Sequence, residues 1–275
     1  MHTFLILGGT GTTGRRIADR LRSAGLHVRT ASRTGSDVRL DLDDPATWAP
    51  ALDGVTAAYL LEPTLHAGAR LARFAEEALA NGVRRLVLLS ASRATEEGHP
   101  LYAVEQTLRR STADWTILHP QWFAQNFSEG IWLPSVLDGT IGLPAGTGST
   151  AFIDADDIAD VAAAALTEDR HHGEVYELTG PSAVSFGEAA DLITKVTGHT
   201  VRYVDVDPAA FTGQQVENGV PPQGAELLTS VYVSIANGQA RVTDHVERAL
   251  GRPARTFEDF VTIAASEGRW NPPQP

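Results

Sequence analysis

A glycine-rich run carries the first chemical signal. Gly8-Gly9-Thr10-Gly11-Thr12-Thr13-Gly14 follows the apolar segment Thr3–Leu7 and opens a helical pattern over Gly14–Ser23. After a strand, one glycine permits a tight turn, a second lets backbone approach a diphosphate, and a third lets helix and strand pack closely. The free N–H groups of the helix start then face the anion, so an acidic chain can still hold a phosphate. Gly8, Thr10, Gly11, Thr12, Thr13 and Gly14 are expected to cradle the diphosphate of a dinucleotide. A phosphoryl-transfer loop needs Gly-Lys-Ser or Gly-Lys-Thr, whereas Gly14 is followed here by Arg15-Arg16.

The end of the second strand, ~20 residues past such a loop, selects the dinucleotide: an acid binds the ribose 2′-OH of NAD, an arginine accepts the 2′-phosphate of NADP. That place reads Ala31-Ser32-Arg33-Thr34, and no carboxylate follows until Asp37. Ser32 and Arg33 therefore favour NADP(H), with NADPH preferred over NADH. In Leu40-Asp41-Leu42, expected to close a third strand, Asp41 is open to two readings, acceptor for the adenine amino group or cap of the following helix. Leu42, Leu61, Ser90 and Pro120, at later strand ends, complete the expected cofactor-binding set.

The elements that must position these groups alternate. Runs at His27–Ala31, Thr56–Leu60, Arg85–Leu89 and Trp115–Leu118 read as strands, and Ala67–Ala80 and Leu101–Arg110 as helices. The expected fold class is α/β, a Rossmann-type doubly wound parallel sheet with a smaller C-terminal substrate-binding region. Leu133–Thr150 holds too many glycines and prolines for a regular element and reads as a loop-rich boundary. An NADP-binding domain is expected over 1–150, receiving a strand and helix from 151–180, with a smaller α/β region over 181–275. Phe186–Val196, Ala225–Ala236, Asp244–Leu250 and Thr256–Ala265 read as helices there, and Val201–Val204 as a strand.

Composition removes several function classes. With 22 basic against 34 acidic residues, net charge −12, neither nucleic acid nor an anionic membrane is an expected partner. The absence of cysteine excludes thiolate chemistry and disulfides. The nine histidines show no metal-binding spacing, so no metal is expected. No leader or membrane-length apolar segment is read, which points to a cytoplasmic protein, monomer or homodimer. Beyond Pro120 an aromatic cluster suggests an apolar cavity for a flat, poorly charged organic substrate, with Trp122, Phe123, Asn126 and Trp132 as pocket candidates. Asp154, Asp156 and Asp157 fit the start of a helix better than a carboxylate pair for catalysis.

Longer stretches add a family resemblance. Asp41-Leu42-Asp43-Asp44-Pro45, Gly82 through Ser92, Trp115 through Phe127, Phe152 through Ala159 and Tyr176 through Pro181 together resemble the NmrA-like atypical short-chain dehydrogenases/reductases over nearly the whole length. The resemblance implies an NADP-binding domain, a smaller C-terminal substrate region and a substrate in the cleft between them. It also implies reduction of quinones, enones or imines, or redox sensing without turnover. One departure is His119, where many relatives carry arginine.

Most short-chain dehydrogenases pair tyrosine with lysine in Tyr-x-x-x-Lys, lowering the phenol pKa for proton exchange. Here Tyr102 is followed four places on by Gln106, and the chain's one lysine is Lys195. Hydride transfer from NADPH to an already electrophilic quinone, enone or imine, with no such dyad, is therefore the expected chemistry. Tyr102 and Ser90 are the candidate catalytic groups. A non-catalytic NADP(H) sensor and a cofactor-dependent isomerase or cyclase are the alternatives.

Overall fold

Thr3–Leu7 and Arg85–Leu89 are each apolar in all but their first residue because helices cover both faces of the sheet they enter. The computed structural model describes residues 2–62, 69–92, 94–238 and 240–271. In chain order, β1 (Thr3–Leu7), α1 (Thr12–Ser23), β2 (His27–Ser32), β3 (Val38–Arg39), α2 (Trp48–Leu52), β4 (Val55–Leu61), α3 (Arg70–Ala80), β5 (Arg85–Leu89), α4 (Tyr102–Arg110) and β6 (Asp114–Pro120) build a first unit. A second unit begins with α5 (Leu133–Leu137), β7 (Thr140–Leu143) and β8 (Ser149–Thr150), after which α6 (Ala155–Thr167) and β9 (Glu174–Leu178) rejoin the first. β10 (Val184–Ser185), α7 (Phe186–Thr197), β11 (Arg202–Asp205), α8 (Pro208–Glu217) and α9 (Pro222–Asn237) belong to the second unit, α10 (His245–Leu250) to the first, and α11 (Phe257–Ser266) to the second.

The first unit is a Rossmann-like α/β fold whose seven strands pair in parallel in the order β3-β2-β1-β4-β5-β6-β9. Side chains alternate across β1: Leu5 and Leu7 join the core with Phe74 of α3 and Leu108 of α4, so Phe4 and Ile6 project to the other face. Strand order reverses between β1 and β4, and crevices for ligands open at the carboxyl ends of strands at such a point. Gly8, after β1, and Leu61, ending β4, stand there.

The units do not divide at 150 as expected. Residues 1–121, 155–178 and 244–253 form the first, and 122–154, 179–243 and 254–275 the second. β9 extends the sheet beside β6, which draws 155–178 back into the first unit. The segment read as loop, Leu133–Thr150, contains α5, β7 and β8; Gly139 (φ +78°) and Gly146 (φ +53°) serve the turns between them. The third strand ends at Arg39, before Leu40-Asp41-Leu42. Helix α8 was not read from the sequence, since it buries only Phe211, although Asp207 caps it and Pro208 starts it. The first residues of the helix expected over Ala67–Ala80 lie outside the described residues.

Candidate active site

The glycine turn is shaped by what cannot fit there. Gly8 sits at φ +64° and its N–H donates to Ala31 O at 2.8 Å, while Gly11 N–H donates to Gly8 O at 2.8 Å. A Cβ on Gly9 would lie 2.4 Å from Thr30 Cβ, and one on Gly14 2.2 Å from Gly8 O. A Cβ on Gly8 would meet Leu61 Cδ2 at 2.7 Å, so Leu61 packs directly on the turn. Among the described residues, a Cβ on Gly11 would meet only Gly8 O, at 3.2 Å, and no side chain caps α1. Tyr59 Oη donates to Thr13 Oγ1 at 3.0 Å and pins the first turn of α1 to β4. Burial holds this phenol well above its ordinary pKa, so it stays a donor. An open turn and a helix start without a side-chain cap among the described residues fit a dinucleotide diphosphate held by N–H groups of residues 12–14.

At the end of β2, Asp37 is committed to the fold. Its carboxylate accepts from Thr30 N–H and Thr30 Oγ1, both at 2.8 Å, and pairs with Arg22 at 2.9 Å. The Thr30 amide holds its pKa below the ordinary carboxylate value. Ser32 Oγ lies 2.7 Å from Ser36 Oγ, and Arg33 is exposed, with no ion pair among the described residues. Asp41 Oδ1 accepts from Asp43 N–H at 3.1 Å, the cap geometry of a turn; Leu42 is buried in the core.

The carboxyl ends of β5, β6 and β9 gather a buried polar cluster. Ser90 Oγ donates to Glu105 Oε1 at 2.6 Å, and His119 Nε2 lies 2.6 Å from the same oxygen. His119 Nδ1 lies 3.1 Å from Glu177 Oε1, and Arg109 donates to Glu105 Oε2 at 3.2 Å. The side chain of Glu105 is 0% exposed and that of His119 2%. Both ring nitrogens lie within hydrogen-bond distance of carboxylate oxygens, a setting that favours the doubly protonated ring. Burial alone would lower the His119 pKa, but Glu105 and Glu177 outweigh it and raise it. Burial likewise pushes Glu105 up, yet His119, Ser90 and Arg109 bring it below its ordinary value. Glu105 and Glu177 were not singled out from the sequence. A carboxylate among Leu101, Val104 and Leu108, on the buried face of α4, was the available signal.

Tyr102 is elsewhere on α4, half-buried in a groove with Glu76 and Leu79 of α3 and with Gln106 and Arg110. Pro120, the last residue of β6, pairs with Leu178. In the second unit, Trp132, expected in the substrate pocket, is instead a core residue. It is 3% exposed, and its Nε1–H donates to Tyr232 Oη at 3.0 Å. It packs among Phe127, Phe152 and Phe186 because apolar rings buried together exclude water from every face. Trp122, half-buried, stacks on Tyr232 with ring centroids 5.8 Å apart; Phe123 and Asn126 are also half-buried. Asp156 and Asp157, in the first turn of α6, bind Arg16 and Arg20 of α1 and Arg252, while Asp154 accepts from Gln125 at 2.8 Å.

The NAD(P)H-binding family model matches residues 8–169. The chain belongs to this family. It is 35% identical to the uncharacterized oxidoreductase YesF of Bacillus subtilis, over 96% of each chain. It is 30% identical to an NAD(P)H azoreductase of Xenophilus azovorans, over 95% of this chain and 98% of that one. A solved NADPH-dependent quinone oxidoreductase of Escherichia coli is 25% identical, with a TM-score of 0.71 over 96% of this chain and 99% of the other. In fold the chain is similar to a solved NmrA variant, 18% identical with a TM-score of 0.70, and the protein is an oxidoreductase of an NAD(P)H-dependent reductase family. Among the described residues no helix is long and apolar enough to cross a membrane.

Proposed function

We propose that the protein transfers hydride from NADPH to a hydrophobic quinone, enone or imine, without a tyrosine–lysine relay. The observation that carries this reading is the commitment of Ser90: its Oγ donates to Glu105 Oε1 at 2.6 Å, so the end of β5 presents an acceptor rather than an acid. Interconverting an alcohol and a ketone requires a group that exchanges a proton with the substrate oxygen. A quinone, activated enone or iminium is electrophilic already, and water or a modest donor suffices for the charge that develops. The bound coenzyme supplies the hydride. Arg33 and Ser32 are assigned to the 2′-phosphate, since Asp37 is held by Thr30 and Arg22. Trp122, Phe123 and Asn126 are assigned to substrate contact, and Tyr102 is left without a chemical role.

The test is a titration with NADPH and NADH followed by coenzyme oxidation with menadione, cyclohexenone and a cyclic iminium. At least one acceptor is expected to be reduced, and Arg33→Glu is expected to weaken NADPH binding far more than NADH binding. Equal loss for both coenzymes removes the 2′-phosphate assignment. Tight NADPH binding with no turnover across the panel refutes the reductase reading and favours a non-catalytic sensor.

A further inference from the structure

The buried cluster at the ends of β5, β6 and β9 contains more charge than packing requires. Replacing such ions by apolar side chains of similar size is often neutral or stabilising, so their retention calls for a reason beyond stability. One oxygen, Glu105 Oε1, receives both the Ser90 hydroxyl and His119 Nε2, each at 2.6 Å. While Glu105 is ionised it can only accept, so the Ser90 hydrogen must point at it and the Ser90 lone pairs are left facing away. We propose that Glu105 and His119 are positioning residues: the His119 imidazolium keeps Glu105 ionised, and ionised Glu105 holds Ser90 as a hydrogen-bond acceptor for the carboxamide N–H of the nicotinamide.

This rests on the cofactor reading above. Ser90 directly follows β5, at the carboxyl edge of the parallel sheet where ligands bind. The groups facing His119 are Glu105 from α4 and Glu177 from β9. Arg109 lies on the far oxygen of Glu105, and His245 Nδ1 accepts the Glu177 N–H at 2.8 Å. The cluster has a condition built in. An arginine in place of His119 would be charged at every accessible pH, whereas an imidazolium loses its proton at alkaline pH. Once His119 is neutral, one of its nitrogens no longer donates and the clamp on Glu105 loosens. The carboxamide contact should then weaken.

The experiment is NADPH binding by the full chain, read from nucleotide fluorescence between neutral and alkaline pH, with thermal melts of each variant without coenzyme. In the wild type, affinity is expected to fall through a single deprotonation. His119→Arg should lose that fall, while His119→Gln should bind at the weakened level throughout. Ser90→Ala should weaken binding about five-fold at neutral pH, the worth of one neutral hydrogen bond, and flatten the alkaline limb. The role is overturned if wild type and either His119 variant share the same limb, or if Ser90→Ala binds as the wild type does with the limb intact. Should His119→Arg fail to melt cooperatively, Ser90→Ala and His119→Gln still decide the matter. Absence of NADPH binding in the wild type is a different failure, which removes the cofactor site and this role with it.

Discussion

Two helical glycines should respond to alanine with opposite sign. Gly14 lies in α1 and Gly213 in α8, and helix propensity by itself favours alanine at each by about 1 kcal/mol. At Gly213 nothing lies within 4 Å of the position a Cβ would take, so Gly213→Ala should realise most of that gain. At Gly14 the same atom would lie 2.2 Å from Gly8 O, 2.7 Å from Gly8 C and 3.1 Å from Gly9 Cα, all backbone. Non-bonded heavy atoms rest at roughly 3.5 Å, so the turn must move by roughly 1.3 Å. Overpacking of this kind costs about 1–3 kcal/mol. In a chain near this size each kcal/mol shifts the melting midpoint by about 2–4 °C. Less the propensity gain, the net cost at Gly14 is up to about 2 kcal/mol, so Gly14→Ala should melt up to about 8 °C lower and Gly213→Ala up to about 4 °C higher. The displaced turn also carries the bond from Gly11 N–H to Gly8 O and the donors expected to face the diphosphate. Losing one charge-assisted hydrogen bond, about 1.5–3 kcal/mol, weakens NADPH binding by more than about tenfold. Calorimetry and nucleotide-fluorescence titration of both variants check this. A Gly14→Ala protein as stable as the parent and binding NADPH undiminished would refute the close-approach reasoning.

Two further outcomes concern stability. His119 is raised from an ordinary value of 6.5 and Glu105 lowered from 4.5. The His119 contribution is complete below 6.5 and lost as pH rises through its folded pKa; that of Glu105 is present above 4.5 and lost as pH falls through its folded pKa. The melting temperature should thus decline as pH rises through the folded His119 pKa, less in His119→Arg, and a wild-type profile identical to that of the variant contradicts the assignment. Trp132→Ala removes a side chain that is 3% exposed and leaves Tyr232 Oη without its donor, so urea unfolding should show a loss of about 3–5 kcal/mol. A loss below about 1 kcal/mol would return Trp132 to the list of pocket candidates.

The glycine turn and the parallel sheet were legible because both are local. Gly8, Gly11 and Gly14 state a turn geometry within seven residues, and continuous aliphatic runs such as Leu86 through Leu89 state burial on both faces. The sequence assigns the first domain a strand and helix from 151–180, but no boundary signal near 122 or 244 marks where the chain passes between the units, because those assignments depend on which elements pack together. The aromatic run from Trp122 to Trp132 showed a similar limit. Ring content marks an apolar environment but does not distinguish a cavity wall from a packed core, and Trp132 proved to be core.

From sequence alone came the glycine turn, the basic end of β2, the missing lysine partner of Tyr102 and the resemblance to a reductase family, because each is a property of residue type at short spacing. Tertiary structure alone decided what Ser90 is. Glu105 lies 15 residues from it and His119 lies 14 from Glu105, and only the pairing of β5 with β6 and the packing of α4 bring Ser90 and His119 onto one Glu105 oxygen. A hydroxyl's role as donor or acceptor is fixed by its partner's charge, and partners that distant in the chain are chosen by the fold.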